Sequence, residues 1–597
     1  MTQTTTTTDT LTASPRLHRI TIDRFRGIQH LEWKPNAGVN IILGGGDTGK
    51  TTVLEAISLL LSPTNSMIIA ESDYWDRKVA EGFCIEAIVS LPPLCGISNQ
   101  AKASWPWQWD GQNLSVPDMG DLPLLNVSGE AVYRIQVRGT EDFEVLFEIV
   151  QPNDVHDVFS VALRRRIGLV RLGGDDKNDR DLRLVYGSAL DRLISDKPWR
   201  AKILSEFSDK DIKSTLDQDA KDVIDSLDKA FEAQTLPHNL GLGLVGGQGL
   251  SLNALIGLTA RKQSVDLPLS SWGSGTRRLA ALEVAAQHQG ENPITIVDEI
   301  ERGLEPYRQR RLIAKLEKGQ SQVFVTTHSA TIINSANTSS LWYLDATSNI
   351  GTLPSSAPVK LQQEKNPEAF LSTLTIFAEG PTEVGFVSKL LESGLGKSYR
   401  ERGVFVADAT GNDNALQILE IFQKGKIKCG GFVDYEGRDP IRWKAVKKSL
   451  SGLLFQWESG CLEENIIPLV PDDCLERLVN DQFGDKAGIR LRSLAKRLPS
   501  EDKDFETLKA RSTDLRALII EAATGRIPDG IANKDEQKAY KSDSRCWFKS
   551  YDGGVELFDK VRAFGIWPQL RDKLLPFVNS VRIAFELPPL DDLMSDE

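Results

Sequence analysis

The feature that most constrains this chain is a glycine-rich stretch at residues 44–52, G-G-G-D-T-G-K-T-T. It follows the apolar run at residues 39–43 and precedes the helix-like segment at residues 53–60. A strand, the pattern G-x-x-x-x-G-K-T and a helix are the context of a phosphate-binding loop, in which backbone N–H groups and the helix N-terminus face phosphate oxygens. The sequence therefore predicts a nucleoside triphosphate site.

Two side chains of this loop have specific expected roles. Lys50 would reach the β- and γ-phosphates, and the Thr51 hydroxyl would help to hold Mg²⁺. The other positions expected around the nucleotide are Gly44, Gly46, Asp47, Gly49 and Thr52. We expect ATP with Mg²⁺ to bind here.

Three later segments carry residues that suit nucleotide hydrolysis. Residues 269–278 place Ser and Gly ahead of a helix-like pattern, where an anion can be received. The buried-strand pattern at residues 293–297 ends in Asp298 and Glu299, which suit a metal carboxylate and a base that polarises water. A further apolar strand leads to His328, which would sense the γ-phosphate at the edge of an α/β sheet.

These segments occur in the order seen in ABC-type ATPases, and residues 25–27 (F-R-G) resemble the SMC- and RecF-like branch of that family. The resemblance implies that a serine-glycine signature of one subunit completes the nucleotide site of its partner, and hence a homodimer. The signature serine is either Ser274, followed by Gly275, or Ser271. A glutamine loop is not evident, and Asp73 is a candidate for its metal-facing position.

Carboxylates recur at strand ends in the C-terminal part. Glu379 follows an apolar strand and Glu383 lies one helical turn later, so both can face one point. Asp434 and Glu436 end another strand and lie two apart, on one face of an extended segment. Four carboxylates at one sheet edge repel one another unless a hard cation neutralises them, which predicts Mg²⁺ or Mn²⁺ and a two-metal site for phosphodiesters.

The motifs E-G-P-T-E at residues 379–383 and D-Y-E at residues 434–436 resemble the Toprim domain, with Glu436 in place of an Asp. An ABC-type ATPase fused to a Toprim domain resembles the OLD (overcoming lysogenization defect) nucleases of class 2 over nearly the whole chain. That resemblance implies a further metal ligand at Glu463 or Glu464, and a Lys549 that stabilises negative charge at the scissile phosphate.

The predicted fold is therefore α/β, with an N-terminal ABC-type (SMC/RecF-like) ATPase that carries a helical insertion, and a C-terminal Toprim α/β domain. We expect a disordered tail at 1–15, the ATPase at 16–345, a linker at 346–370 and the Toprim nuclease domain at 371–597. Leu and Ile at spacings of three and four predict amphipathic helices at about 180–235, a candidate dimer contact.

Composition limits the partners. The 597 residues carry a net charge of −12, which argues against nonspecific binding of polyanions over the whole surface but permits a local basic groove. The six cysteines are scattered without a C-x-x-C pair, which fits the cytoplasm. No apolar run reaches the roughly 20 residues of a membrane span.

The predicted function is an ATP-hydrolysing, divalent-metal-dependent DNA endonuclease regulated by its ATPase, with phage defence or DNA repair as the setting suggested by the resemblance. One alternative is a non-catalytic, ATP-driven DNA clamp, and another is a topoisomerase- or primase-like Toprim protein. The expected partners are DNA and a second copy of the chain, with no membrane, and a further protein partner is left open.

Overall fold

The computed structural model describes residues 14–65, 69–92, 97, 104–116, 130–172, 181–185, 188–193, 218–244, 256–287, 293–480, 486–498 and 500–593. The chain divides into two compact units, Met1–Thr352 and Leu353–Glu597. No helix within these described residues is both long enough and apolar enough to cross a membrane.

The first unit combines a parallel sheet with antiparallel sheets. Its strands are β1 (Arg16–Phe25), β2 (Ile28–Trp33), β3 (Val39–Leu43), β4 (Phe83–Ser90), β5 (Trp107–Trp109), β6 (Leu114–Ser115), β7 (Glu130–Gly139), β8 (Val145–Val150), β9 (His156–Val158), β10 (Leu169–Leu172), β11 (Leu240–Leu244), β12 (Ile256–Lys262), β13 (Val265–Pro268), β14 (Ile294–Val297), β15 (Val323–Thr326), β16 (Ser340–Leu344) and β17 (Ile350–Leu353). Its described helices are α1 (Lys50–Leu60), α2 (Val161–Ile167), α3 (Ala189–Leu193), α4 (Gln218–Ala233), α5 (Ser274–Gln287), α6 (Pro306–Lys318) and α7 (Ala330–Ser335).

The parallel sheet has the strand order β10-β14-β15-β3-β16-β17, and the pairs from β10 to β16 are parallel. β3, β14 and β15 are buried along their whole length, as their continuous apolar sequences predict for a sheet covered on both faces. Because the carboxyl ends of parallel strands share one edge, the loops after β3, β14 and β15 meet there. This edge brings together the motifs that lie far apart in the sequence.

A second, antiparallel sheet follows the order β2-β1-β4-β7-β5-β6, with β8 between β7 and β9. In β1, the alternating residues Ile20 and Ile22 are fully buried and pack with α1 and the central strands in one core. A third sheet, β11-β12-β13, is also antiparallel. In the predicted insertion, α3 and α4 are helical, whereas residues 180, 186–187 and 194–217 lie outside the described residues.

The second unit is built on a four-stranded sheet in the order β19-β18-β20-β21, with every pair parallel. These strands are β18 (Leu374–Ala378), β19 (Val404–Asp408), β20 (Cys429–Val433) and β21 (Leu454–Gln456). The described helices are α8 (Ala357–Lys365), α9 (Pro381–Leu395), α10 (Asn412–Lys424), α11 (Pro440–Leu450), α12 (Leu462–Ile466), α13 (Leu475–Val479), α14 (Lys486–Arg497), α15 (Phe505–Arg511), α16 (Leu515–Thr524), α17 (Lys534–Asp543), α18 (Tyr551–Ala563) and α19 (Trp567–Ile583).

One large apolar core joins this sheet to the C-terminal helices. It includes Phe386 of α9, Phe432 of β20 and Phe558 of α18, all at most 1% exposed. The predicted linker, 346–370, contains β17 and α8, and the two units divide at Thr352. The predicted domain boundaries stay predictions.

Candidate active sites

The first candidate site lies at the carboxyl edge of the parallel sheet in the first unit. A pocket of about 430 Å³ is lined there by Gly27, Gly46, Asp47, Thr48, Gly49, Lys50, Thr51, Thr52, Asp298, Glu299, Thr326, His328, Ala346 and Ser348. The loop after β3 and the first turn of α1 together supply half of these residues, and the ends of β14 and β15 supply the charged side chains opposite. The structure therefore brings the predicted phosphate loop, Asp298, Glu299 and His328 to one pocket.

The phosphate loop depends on glycine at two points. Gly44 and Gly49 have positive φ values of 156° and 94°, and a Cβ at Gly44 would lie 2.5 Å from the Leu344 carbonyl oxygen. Lys50 is buried, and its ammonium group donates to the carbonyl oxygens of Gly44 at 3.2 Å and Gly45 at 2.6 Å. Burial lowers the pKa of Lys50. The loop thus holds a desolvated ammonium against the backbone that would cradle phosphates.

Asp298 connects the phosphate loop to β15. Its Oδ1 accepts a hydrogen bond from Thr51 Oγ1 at 3.3 Å and from Thr326 Oγ1 at 2.5 Å. Arg278 of α5 donates to the Asp298 carbonyl oxygen. Thr326 and Arg278 are absent from the sequence predictions, because a Thr at a strand end and an Arg inside a helix carry no motif of their own.

Glu299 has an unusual backbone. Its φ of 48° lies in the left-handed region, which is costly for a residue with a side chain. Its N–H donates to Thr326 Oγ1 at 2.8 Å, so Thr326 contacts both Asp298 and Glu299. This arrangement lets Glu299 line the pocket beside Asp298 rather than continue the strand.

The remaining predicted ATPase residues take defined positions. His328 is exposed and lines the pocket, while its backbone N–H donates to Glu301 at 2.7 Å. Ser274 is exposed at the first residue of α5, and Gly275 lies so close to Gly303 that a Cβ would overlap the Gly303 carbonyl. Ser271, in contrast, donates its hydroxyl hydrogen to the Pro268 carbonyl at 2.7 Å.

Asp73, the candidate for the metal-facing position, is engaged elsewhere. It forms an ion pair with Arg26 at 2.8 Å and accepts from the Ala70 N–H at 2.9 Å. It is not among the residues that line the pocket.

The second candidate site lies at the carboxyl edge of the β19-β18-β20-β21 sheet. Glu379 follows β18, Asp434 follows β20, and Glu383 lies in the first turn of α9. Glu379 Oε2 accepts from the Asp434 backbone N–H at 3.1 Å and from Asn412 Nδ2 at 2.8 Å. Asn412, the first residue of α10, also donates to the Asp434 carbonyl at 3.1 Å. The sequence predictions missed it, since a single Asn after a glycine turn is common in loops.

Burial sets the electrostatics of this site. Desolvation raises the pKa of Glu379, and it raises that of Glu383 to about 8, with nearby Glu463 adding to the rise. Desolvation together with Glu383, Glu379 and Glu463 raises the pKa of Asp434 to about 9. These carboxyl groups are therefore close enough to one another, and sufficiently shielded from solvent, that each disfavours the ionisation of the others.

The two neighbouring candidates Glu463 and Glu464 face different surroundings. Glu463 is fully buried, and Lys549 Nζ lies 2.9 Å from its Oε1 and 3.0 Å from its Oε2. Glu464 instead accepts from the Cys461 N–H at 3.0 Å and from Arg526 Nη2 at 2.7 Å. The structure thus brings Glu463, and not Glu464, to the carboxylate cluster.

Glu436 lies at the rim of the cluster. Its side chain is 36% exposed and pairs with Arg438 at 3.4 Å. It is close enough to raise the pKa of Glu379 by electrostatic repulsion, although desolvation contributes more. The predicted pair Asp434 and Glu436 is therefore divided between a buried and an exposed position.

Close helix packing places Lys549 beside the cluster. α9 and α18 approach through glycines, because a Cβ at Gly554 would overlap the Thr382 carbonyl and one at Gly385 would overlap the Tyr551 carbonyl. The Thr382 hydroxyl donates to the Phe548 carbonyl at 2.9 Å, one residue before Lys549. Burial acts to lower the pKa of Lys549, but Glu463 and Glu383 outweigh it and raise this pKa above its ordinary value.

An ion pair of the buried Arg490 supports the same loop. Arg490 is fully buried and forms two hydrogen bonds to Glu556, at 2.8 and 2.7 Å. It also donates to the carbonyl oxygens of Cys546 at 2.9 Å and Trp547 at 3.2 Å. Arg490 thereby fixes the backbone that leads into Lys549.

The cluster fits a hard divalent cation by its donor chemistry. Its members are carboxylates, which Mg²⁺ and Mn²⁺ prefer, and Glu463 Oε1 is buried without a hydrogen bond despite its ion-pair contact with Lys549. Among the described residues, no three His, Cys, Asp or Glu side chains are already arranged to hold a metal.

Comparisons with known proteins agree with two domains in this order. Residues 140–334 match a family model described as "AAA domain, putative AbiEii toxin, Type IV TA system". Residues 370–435 match one described as "Overcoming lysogenization defect protein-like, TOPRIM domain". The order of these two matches is that of an OLD-family ATPase–Toprim fusion. Such ATPase and Toprim domains in general use a nucleotide and a divalent metal, and the second unit contains the Toprim domain. No curated protein sequence matches the chain.

Solved structures resemble this chain over 57–59% of its length. The SMC head bound to the C-winged helix domain of ScpA is 15% identical, covers 58% of this chain and 99% of its own, and has a TM-score of 0.38. The recombination mediator protein RecF is 13% identical, with 57% and 99% coverage and a TM-score of 0.35. The SMC head domain of Pyrococcus furiosus is 13% identical, with 59% and 99% coverage and a TM-score of 0.36. At this level of similarity, nothing about activity follows from them.

Proposed function

We propose that this protein is an ATP-binding and ATP-hydrolysing, divalent-metal-dependent DNA endonuclease whose ATPase regulates cleavage. The observation that carries the proposal is the buried cluster of Glu379, Glu383, Asp434 and Glu463, with Lys549 beside it. Buried carboxylates oppose folding unless cations compensate them. A cluster of this kind at the edge of a parallel sheet suits a site for cations and a phosphodiester.

In this proposal each residue has a role. Glu379, Glu383, Asp434 and Glu463 would hold the cations, and Glu436 would complete the site from its rim. When bound, Mg²⁺ or Mn²⁺ would supply a water of lowered pKa and would polarise the phosphodiester. Lys549 would stabilise the negative charge that develops on the phosphate oxygens as the water oxygen bonds to phosphorus and the sugar oxygen leaves with a proton.

The nucleotide pocket would control this chemistry. Lys50 would bind phosphates, Thr51 and Asp298 would hold Mg²⁺, and Glu299 would orient the attacking water. His328 would contact the γ-phosphate. We propose Ser274, exposed at the start of α5, as the signature serine that is presented to the partner's nucleotide in a homodimer. The alternative, Ser271, already donates its hydroxyl hydrogen bond to the Pro268 carbonyl oxygen.

Cleavage of supercoiled plasmid tests the proposal. Purified protein with Mg²⁺ or Mn²⁺ is expected to give nicked or linear DNA, whereas the Glu379→Ala variant is expected to give none. ATP hydrolysis by the same variant is the control for folding. If neither metal supports cleavage while ATP is still hydrolysed, the non-catalytic DNA clamp is the better assignment. Cleavage by the Glu379→Ala variant would mean that the active site lies elsewhere. Phage defence or DNA repair is the setting that we propose for this activity.

A further inference from the structure

Helix α11 carries an unusually basic exposed side in an acidic protein. Its sequence, residues 440–450, contains four basic residues and no Asp or Glu, while the whole chain has a net charge of −12. Trp443, Val446 and Leu450 are buried and form its inner side. Lys444, Lys447 and Lys448 are exposed, and their spacing of three and four residues places them on one outer side.

These three lysines differ from the neighbouring arginine in their partners. Arg442 forms two hydrogen bonds to Glu420, at 3.0 and 2.7 Å, and contacts Asp439 at 3.2 Å. Across the described residues, no acidic side chain pairs with Lys444, Lys447 or Lys448. The charge of Arg442 is therefore paired with acidic side chains, whereas the charges of the lysines face solvent.

The helix is linked to the carboxylate site through Asn412. Trp443 Nε1 donates to Asn412 Oδ1 at 3.2 Å, and Asn412 Nδ2 donates to Glu379 Oε2 at 2.8 Å. The loop between β20 and α11 also contains Asp434 and Glu436. The inner side of α11 is thus linked to Glu379 through two side chains, those of Trp443 and Asn412.

Two exposed apolar residues lie in or just before α11 in the chain. Ile441, on the first turn of α11, is 84% exposed, and Tyr435, between the site residues Asp434 and Glu436, is 42% exposed. Exposed lysines are common on helices and usually serve solubility. Basic residues beside exposed apolar and aromatic side chains are instead typical of surfaces that bind nucleic acid.

We propose that Lys444, Lys447 and Lys448 bind the phosphate backbone of the duplex DNA that is cleaved at the carboxylate site. The proposal rests on the nuclease function proposed above and adds the surface that holds the substrate. Phosphate contacts position DNA without reading its sequence. This surface would therefore supply affinity and orientation, and the chemistry would stay with the carboxylates and Lys549.

The test is salt-dependent binding of a labelled DNA duplex by the full chain, with Ca²⁺ in place of Mg²⁺ to prevent cleavage. The variant Lys444→Gln, Lys447→Gln, Lys448→Gln removes the three charges, and Gln keeps helix propensity. The matched control is Lys503→Gln, Lys509→Gln, Lys573→Gln, which removes three exposed charges from other parts of the same unit.

The expected result follows from counterion release. Between about 50 and 200 mM salt, the slope of log affinity against log salt should become less negative by about 2.7, since each phosphate contact contributes about 0.9. Affinity at about 100 mM salt should fall at least tenfold in the α11 variant and stay unchanged in the control. In plasmid cleavage, the α11 variant should show a raised KM with nearly unchanged kcat.

Two outcomes would overturn the proposal: a slope that is unchanged in the α11 variant, or an equal change in the control. The nuclease assignment fails separately. If the wild type binds duplex DNA through α11 but cleaves it with neither metal, the DNA-binding surface is supported and the nuclease assignment is refuted. If the wild type cleaves and the α11 variant binds as the wild type does, the nuclease stands and the surface is refuted.

Discussion

Lys549→Met tests whether the lysine stabilises the carboxylate cluster in the absence of metal. The ammonium lies 2.9 and 3.0 Å from the two oxygens of Glu463, which is fully buried, and it also interacts with Glu383. Methionine keeps most of the apolar stem and removes the charge. Removal of one partner from a buried ion pair leaves the other charge uncompensated and costs about 3–5 kcal/mol.

The measurement is hydrogen exchange of the α18 amides in the full chain, at pH 8 in EDTA. Local exchange reports the free energy of opening of this unit alone, so unfolding of the first unit does not enter. Lys549→Met is expected to lower this free energy by about 3–5 kcal/mol. In a Glu463→Gln background the principal buried charge is absent. There, Lys549→Met should lower the free energy of opening by less than about half of that amount.

An exposed lysine of the same unit provides the matched control. Lys573→Met removes an exposed lysine from α19 and should change the opening free energy by less than about 0.5 kcal/mol. The reasoning is wrong if Lys549→Met costs the same in both backgrounds, or less than about 1 kcal/mol in each. Either result would mean that Glu463 is not held as a charged partner of Lys549.

Three further predictions concern the nucleotide pocket, the pH dependence and the helix contact. Lys50→Ala should abolish binding of a fluorescent ATP analogue in a titration, while the plasmid-binding affinity without nucleotide stays unchanged. Burial raises the pKa of Glu383 from 4.5 to about 8. Its protonated form therefore stabilises the fold fully below pH 4.5, and this stabilisation is lost as the pH rises to 8. The urea midpoint measured in EDTA should fall over that pH range, and it should fall less steeply in Glu383→Gln. Gly554→Ala forces a Cβ against the Thr382 carbonyl and should lower stability by about 1–3 kcal/mol or more. Gly488→Ala, with open space around it, should not lower the thermal midpoint.

The elements that position both sites could be predicted from the sequence because each strand is a short apolar run that ends in a polar motif. β3, β14, β18 and β20 were expected in this way, and the comparisons agree with the order of ATPase and Toprim domains. A parallel sheet brings strand ends to one edge regardless of their separation in the chain. This rule is sufficient to bring Lys50 to Asp298 and Glu379 to Asp434.

The side chains that support these residues could not be predicted in the same way. The choice between Glu463 and Glu464 depends on Arg526, which lies 62 residues away and pairs with Glu464. The position of Lys549 depends on Arg490 and Glu556, 66 residues apart, and neither belongs to a motif. Such contacts are fixed by tertiary packing, and a single sequence gives no local signal for them.

Charge balance connects the binding of cations and the binding of a DNA phosphate at the proposed nuclease site. If Glu379, Glu383, Asp434 and Glu463 were all ionised, they and the Lys549 ammonium would together carry three negative charges. Two divalent cations would turn this into a single positive charge, which one phosphodiester would neutralise. With one cation the site would still repel a phosphate, and with none the raised pKa values of Glu383 and Asp434 already show that full ionisation is opposed. In the proposed function, cations and DNA phosphate therefore favour each other's binding at this cluster, and the lysines of α11 add attraction for the backbone outside it.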